Sequence, residues 1–305
     1  MKKLLILGGS GFIGSSIVDY GINKKLIRNQ INEIYILSKK NKKINKRLKY
    51  IKINYISQHI LDIKKLPEVD YIIYCLRNRS IKTSNNYFTQ FLKLITTFKK
   101  KPKILFTSSG AIYGKNSNKK KDTENKAIDI NLINKFTGYK KNYAKEKFFL
   151  EKKIQQLGTK NYNVSIARCY TFIGNNIIKY NYAISDLIND ALINPLIKLS
   201  APINVYRSYM HSNDLSRWLI KILVNSNKNC PIYNVGSDKV INLRDLTKKI
   251  ALFVNKASLL KKIESKKFDY YVPSIDKAKK KLNLKISINL NHALNSTIKS
   301  LNDQN

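Results

Sequence analysis

The sequence predicts an α/β fold, a doubly wound parallel sheet followed by a smaller C-terminal α/β lobe. Three observations carry this. Short β-rich apolar runs alternate with helix-length segments as far as residue 170; a glycine-rich turn follows the first run; and the alternation weakens beyond residue 170. Strand, helix, strand, repeated, implies a parallel sheet covered on both faces, whose buried strands read as continuous apolar runs.

In chain order, KLLILG (3–8), EIYIL (33–37), YIKI (50–53), DYIIYCL (70–76), KILFTSS (103–109) and NVSIARC (163–169) read as buried strands. The segments 12–28, 86–99 and 143–158 between them have helical length and pattern. The start, MKKLLILGG, has an apolar run too short for a secretory leader and enters glycines without a cleavage site, so a first strand is expected there. Beyond residue 170, helices are expected over 181–194, 211–225, 242–255 and 288–301, with a short strand PIYNV (231–235). This organises the chain as a dinucleotide-binding domain over 1–172, with a returning segment near 208–235, and a smaller substrate-binding lobe over 173–305. A lysine-rich loop is expected around 115–126.

The net charge of +39 suggests nucleic acid, because clustered cations release phosphate counterions. Here the charge is nearly all lysine, spread along the chain, with its densest runs short and in expected loops. A solvated surface is the better reading, without a specific nucleic-acid partner. The 43% apolar fraction puts the chain among globular proteins, and no apolar run reaches membrane-spanning length. Cys75, Cys169 and Cys230 are odd in number and far apart, which fits neither a disulfide framework nor a metal site. A reducing cytoplasm is the expected setting.

GGSGFIG (8–14) follows the first strand and opens a helix. Glycines in that context permit the tight turn, let backbone approach a pyrophosphate and allow close helix–strand packing, while the helix N-terminus supplies partial positive charge. A Rossmann-like dinucleotide site is expected. At the end of the second strand, where an acid would bind the ribose hydroxyl of NAD, stand Ser38, Lys39 and Lys40. A hydroxyl and cations suit a 2′-phosphate, so the cofactor is read as NAD(P) with NADP favoured.

Chain-wide, 19 tyrosines and 50 lysines over 305 positions give about three Tyr-x-x-x-Lys pairs by chance, and three occur: Tyr20–Lys24, Tyr35–Lys39 and Tyr143–Lys147. Only the setting separates them. Tyr35 lies in a strand and Tyr20 on the helix beneath the glycine turn, whereas Tyr143 follows the serine-bearing edge FTSSGAIYG (106–114) and starts a helix. On a helix, positions four apart share a face, and a lysine beside a phenol favours the phenolate, lowering its pKa from about 10. Such a tyrosine can exchange a proton with a sugar hydroxyl during hydride transfer.

GGSGFIG, TSSGAIYG (107–114) and YAKEKFFLE (143–151), in this order, resemble the extended short-chain dehydrogenase/reductase family of NAD-dependent sugar-nucleotide epimerases and dehydratases. RCYTFIG (168–174), RSYMHSNDL (207–215), YNVG (233–236) and DKAKKKLNLK (276–285) resemble its later segments, so the likeness spans nearly the whole chain. It implies that Ser109 orients the sugar hydroxyl, Tyr143 is the acid/base, and Lys147 binds ribose and tunes Tyr143. It places Gly8, Gly11, Phe12, Ile13 and Gly14 against the cofactor's diphosphate, with Ser38, Lys39 and Asn54 towards its adenosine. Cys75 and Leu76, in place of the family's His-x-Ala, neighbour the cofactor together with Tyr143 and Lys147. Arg207 would meet the substrate diphosphate and Thr171 the sugar, while His211 and Asp214 brace their element. Asn54 and Thr171 depart from the family's usual Asp and Asn.

The resemblance implies hydride transfer at a nucleotide-sugar hydroxyl or ketone, first of all C4 epimerisation, in surface polysaccharide or deoxysugar biosynthesis, by a homodimer. An NADPH-dependent nucleotide-4-keto-sugar reductase is the close alternative. Members that remove water carry an Asp-Glu pair after the active-site Ser or Thr. Gly110 and Ala111 stand there instead, and the acids Asp122 and Glu124 fall on the lysine-rich loop. A non-catalytic dinucleotide-binding protein with a basic, nucleic-acid-binding surface is the reading from another class; it has no need of Ser109, Tyr143 and Lys147.

Overall fold

The computed structural model describes residues 2–22, 31–38, 46–48, 51–78, 80–116, 118–175, 177 and 182–302. The chain divides into two compact units, the first built from Met1–Gly114, Ile128–Cys169 and Ser216–Tyr233. Lys115–Ala127, Tyr170–Leu215 and Asn234–Asn305 make the second.

The first unit is organised by an eight-stranded sheet. Its strands are β1 (Lys2–Leu7), β2 (Ile31–Leu37), β3 (Lys46–Leu48), β4 (Ile51–Ile56), β5 (Tyr71–Tyr74), β6 (Lys103–Ser109), β7 (Val164–Cys169) and β8 (Ile232–Val235). Their spatial order is β8-β7-β6-β5-β1-β2-β4-β3. The pairs β1–β2, β1–β5, β2–β4, β5–β6 and β6–β7 are parallel, and β3 runs antiparallel to β4. From β1 the chain builds outwards first through β2 and later through β5. The carboxyl ends of β1 and β5 therefore flank a topological switch point, where doubly wound sheets bind ligands.

Helices α1 (Phe12–Ile22), α2 (Ile81–Thr96) and α3 (Gly138–Thr159) belong to this unit. The α2 residues Ser84, Tyr87, Phe88, Phe91, Leu94 and Ile95 are buried at helical spacing. They join Leu5, Leu7, Ile72, Tyr74, Ile104 and Phe106 of the sheet and Leu150, Ile154 and Leu157 of α3 in one apolar cluster. The helix expected over 86–99 begins earlier because Ser80 caps it, its hydroxyl accepting from Thr83 N at 3.1 Å. The helix expected from 143 likewise begins at Gly138, which puts Tyr143 in the second turn rather than at the start. Residues 23–28 of the first expected helix, and Tyr50 of the third expected strand, lie outside the described residues.

In the second unit, Asn204–Arg207 pairs with Ile241–Asn242 and with Phe268–Tyr271. Leu196–Leu199 pairs in parallel with Ala257–Leu260, and Phe172–Ile173 with Met210–His211. The helices Ala183–Ile193, Leu243–Phe253 and Leu290–Asn302 fall within a few residues of expectation. Within the lysine-rich loop expected around 115–126, Asp122 is firmly held. Asp122 is 3% exposed. Its carboxylate accepts from Lys126 Nζ at 2.6 Å and Tyr170 OH at 3.3 Å, and its backbone pairs with Val272 and Ser274. Burial raises its pKa, the hydrogen bonds from Lys126 and Tyr170 opposing that.

Candidate active site

The glycine turn sits at the end of β1. Gly8 N and Gly9 N donate to Leu37 O at 3.0 and 3.3 Å, tying the turn to the end of β2. Gly8 has φ +82°, and a Cβ there would lie 3.0 Å from the Cys75 carbonyl, so only glycine sits comfortably at this position. A Cβ on Gly14 would come within 2.4 Å of Gly9 Cα, the close helix–turn packing the pattern calls for. Gly11 differs. A Cβ there would touch only Gly8 O, at an ordinary 3.4 Å, so the protein's own packing does not demand glycine. Glycine there leaves bare backbone at the entrance of α1. The first helical bond, Ser15 N to Gly11 O at 2.9 Å, leaves the N–H groups of the opening turn outside the helix's own ladder. Phe12 is buried and Ile13 half-buried, holding that turn in place. These residues fit a dinucleotide pyrophosphate.

Cys75 and Leu76 follow β5 and pass directly beside Gly8, with Cys75 N donating to Leu7 O at 2.9 Å. Burial pushes the Cys75 thiol up to about 12, against the opposing effects of Thr107 and Lys147. It is a neutral packing group rather than a nucleophile.

From α3, Lys147 reaches this same point. It is 3% exposed, and its Nζ donates to Leu76 O at 3.3 Å and lies 4.9 Å from the Phe106 ring centroid. One turn earlier, Tyr143 has its ring centroid 5.8 Å from Lys147 Nζ. The glycine turn, the β5 end and the Tyr143–Lys147 pair are thus brought together. The other two Tyr-x-x-x-Lys tyrosines are not in such a setting: Tyr20 is buried on α1, and the Tyr35 hydroxyl donates to Glu33 Oε1 at 3.0 Å. Lys24 and Lys39 lie outside the described residues.

Ser109 ends β6 and caps the 3-10 turn Gly110–Tyr113, its Oγ accepting from Ala111 N at 3.2 Å. Neither Gly110 nor Ala111 carries a proton donor or acceptor on its side chain. Ser108 is buried with no hydrogen-bond partner for its Oγ.

A buried ion pair that sequence reading missed braces this region. Arg168 on β7 donates to Glu151 of α3 through Nε at 3.1 Å and Nη2 at 2.8 Å, and through Nη1 to Tyr113 OH at 2.8 Å. The bidentate pair joins α3, one turn beyond Lys147, to the turn that Ser109 caps. Burial disfavours the Arg168 charge, yet Glu151 holds its pKa above the ordinary arginine value.

Other expected site residues are placed as follows. Ser38 N donates to Ile56 O at 3.1 Å, at the end of β2 beside the glycine turn. Asn54 sits two residues short of that level, and its amide donates to Glu33 Oε1 at 2.8 Å, pointing away from the turn. Thr171 donates from Oγ1 to Ser208 O. Arg207 forms an ion pair with Asp269 at 2.6 Å and donates to the Tyr206 and Asp269 carbonyls. Its guanidinium is therefore already satisfied by a carboxylate, a pairing absent from the sequence-based expectation. His211 Nδ1 accepts from Asn213 N, and Asp214 Oδ2 accepts from Ser287 N and Ile288 N at 2.8 and 2.9 Å, both structural ties. Among the described residues, no group of three or more His, Cys, Asp or Glu could hold a metal ion, and no helix is long and apolar enough to cross a membrane.

The sequence model described as the NAD dependent epimerase/dehydratase family matches residues 4–236. Comparison with curated protein sequences returns no significant match. Among solved structures, the chain is similar to a UDP-glucose 4-epimerase from Thermotoga maritima with UDP-glucose, at 17% identity, TM-score 0.75 and 99% coverage of each chain. It is similar to a dTDP-glucose 4,6-dehydratase from Bacillus anthracis in complex with NAD, at 14% identity, TM-score 0.76, and coverage of 99% of this chain and 97% of that one. A UDP-glucose-4-epimerase from Stenotrophomonas maltophila, with bound NAD and formylated UDP-arabinopyranose, aligns at 13% identity, TM-score 0.78, and coverage of 100% and 99%.

Proposed function

The chain belongs to the NAD-dependent epimerase/dehydratase family, and from that premise we propose that it interconverts a hydroxyl and a ketone at C4 of a nucleotide-linked hexose, most simply as an epimerase. The observation that carries this is the convergence of Tyr143, Lys147 and the glycine turn on the β5 end, beside an active-site turn without acids. When bound, the nicotinamide accepts and returns the hydride. Tyr143 takes the C4 hydroxyl proton and gives it back, Lys147 favours the phenolate, and Ser109 orients the hydroxyl. The 3-10 turn after Ser109 offers no carboxyl group to protonate a departing C6 hydroxyl or to take a C5 proton, so water is retained. Incubation with NAD(P) and a panel of nucleotide hexoses, followed by mass spectrometry, tests this. A product of unchanged mass is expected; a product lighter by one water contradicts it.

The reductase reading is kept because Ser38, in place of an acid, accommodates a 2′-phosphate. On that basis NADP(H) is expected to bind more tightly than NAD(H), and Ser38→Asp to shift preference towards NAD(H). Titration by nicotinamide fluorescence reads both; tighter NAD(H) binding by the wild type refutes the preference. Thr171 remains a proposed substrate contact. Arg207 can meet a diphosphate only in competition with Asp269. Three free cysteines accord with a reducing cytoplasm, and a homodimer is the proposed assembly.

A further inference from the structure

We propose that Arg77 is a second cation serving Tyr143, seated over the phenol by Tyr139, and that it favours the phenolate alongside Lys147. Arg77 follows Leu76, in the segment that leaves β5 beside the glycine turn. Its guanidinium carbon lies 4.9 Å from the Tyr139 ring centroid and 5.5 Å from that of Tyr143. The two rings are stacked, with centroids 5.9 Å apart and planes 19° from parallel. Arg77 Nε donates to Tyr139 OH at 2.5 Å, which fixes the side chain over this pair. Tyr143 therefore has one cation from its own helix, Lys147 Nζ at 5.8 Å, and another at a similar distance from a segment more than sixty residues earlier in the chain.

The remaining surroundings do not cancel this charge. Tyr143 packs on an apolar cluster of Ala111, Ile133, Phe136 and Ala144 with Ile128. Lys140, on the same helix, adds a further cation 4.2 Å from the Phe136 ring. The acid nearest in sequence, Glu146, points elsewhere, accepting from Ser84 Oγ at 2.8 Å. A guanidinium, planar and always charged, suits a position over stacked rings better than an ammonium would. Because Arg77 is exposed, solvent screens its pull, and Lys147 remains the closer-held partner.

This inference deepens the proposed role of Tyr143 and rests on it for its functional meaning, but it can be measured without activity. Protein labelled with 13C at tyrosine Cζ is titrated by NMR, and the resonance missing from Tyr143→Phe identifies Tyr143. Arg77→Gln is expected to raise the Tyr143 pKa by about 0.5–2, the range between water-like and protein-surface screening at this distance. Arg77→Lys should restore most of the wild-type value, and Tyr139→Phe should give a smaller rise. The rising limb of the pH–rate profile should move to higher pH by the same amount as the NMR titration in Arg77→Gln. An unchanged titration in Arg77→Gln, or equal shifts in Arg77→Gln and Arg77→Lys, would overturn the proposal. A fully active Tyr143→Phe with the titration shift intact would instead remove only the catalytic reading of Tyr143.

Discussion

Replacing Tyr143 with phenylalanine is expected to lower kcat by about 10²–10⁴-fold, the usual worth of a positioned acid/base. Lys147 is buried, its ammonium fixed by Leu76 O and the Phe106 ring, so its charge acts on the phenol from a constant position. Removing one hydroxyl leaves the glycine turn, the β5 end and Lys147 as they are. Cofactor binding should then stay within a few-fold of wild type while turnover collapses, a split that a folding defect would not produce. Tyr20→Phe, which alters a tyrosine on α1 with the same local spacing, should turn over near the wild-type rate. Steady-state kinetics and cofactor titration of both variants check this, and comparable activity in Tyr143→Phe would remove the assignment.

Arg168→Ala is expected to destabilise the protein by about 3–5 kcal/mol, because it leaves the Glu151 carboxylate buried without its partner. Glu151 is 2% exposed, too deep for water to take over both lost hydrogen bonds, and Tyr113 OH loses its donor as well. That loss is a large share of the roughly 5–15 kcal/mol that holds a typical domain folded. In thermal unfolding followed by circular dichroism it should lower Tm by roughly 10 °C. Arg168→Met combined with Glu151→Leu, which removes both charges, should recover most of the stability. A single variant that melts with the wild type would show that the pair contributes little.

The parallel sheet was legible because its strands are buried on both faces. KLLILG, DYIIYCL and KILFTSS read as apolar runs; β5 and β6 lie within the last two, and β1 matches the first to within one residue at each end. The strands of the second unit were not read. Ala257–Leu260 alternates exposed and half-buried residues and Asn204–Arg207 is half-buried throughout, so neither has an apolar run to notice. Helix starts were missed for a related reason: Ile81–Asn86 is mostly polar, and apolar periodicity becomes plain only at Tyr87, while the cap at Ser80 is a single hydroxyl.

Within the candidate site, the local pieces were visible: a glycine turn after a strand, a serine at a strand end, a Tyr–Lys pair on one helical face. What depends on distant partners was not. Glu33 takes the Asn54 amide, Asp269 takes Arg207, and Glu151 takes Arg168. Each is a choice among several acids that only the fold makes. Arg77 shows the same limit from the other side, since Tyr139 and Tyr143 lie beside it only once β5 and α3 are in place.

In the proposed reaction a hydride leaves C4 of the sugar and, in an epimerase, returns there. This is tested most directly with a nucleotide hexose carrying deuterium at C4, incubated with the enzyme and unlabelled NAD(P), with the product examined by NMR. Expected is the C4 epimer, its deuterium retained at C4 with the configuration inverted, or a 4-keto sugar with its deuterium on the nicotinamide, and no loss of water. A product with the C4 configuration unchanged and its deuterium in place, or a 4-keto-6-deoxy product, would contradict this.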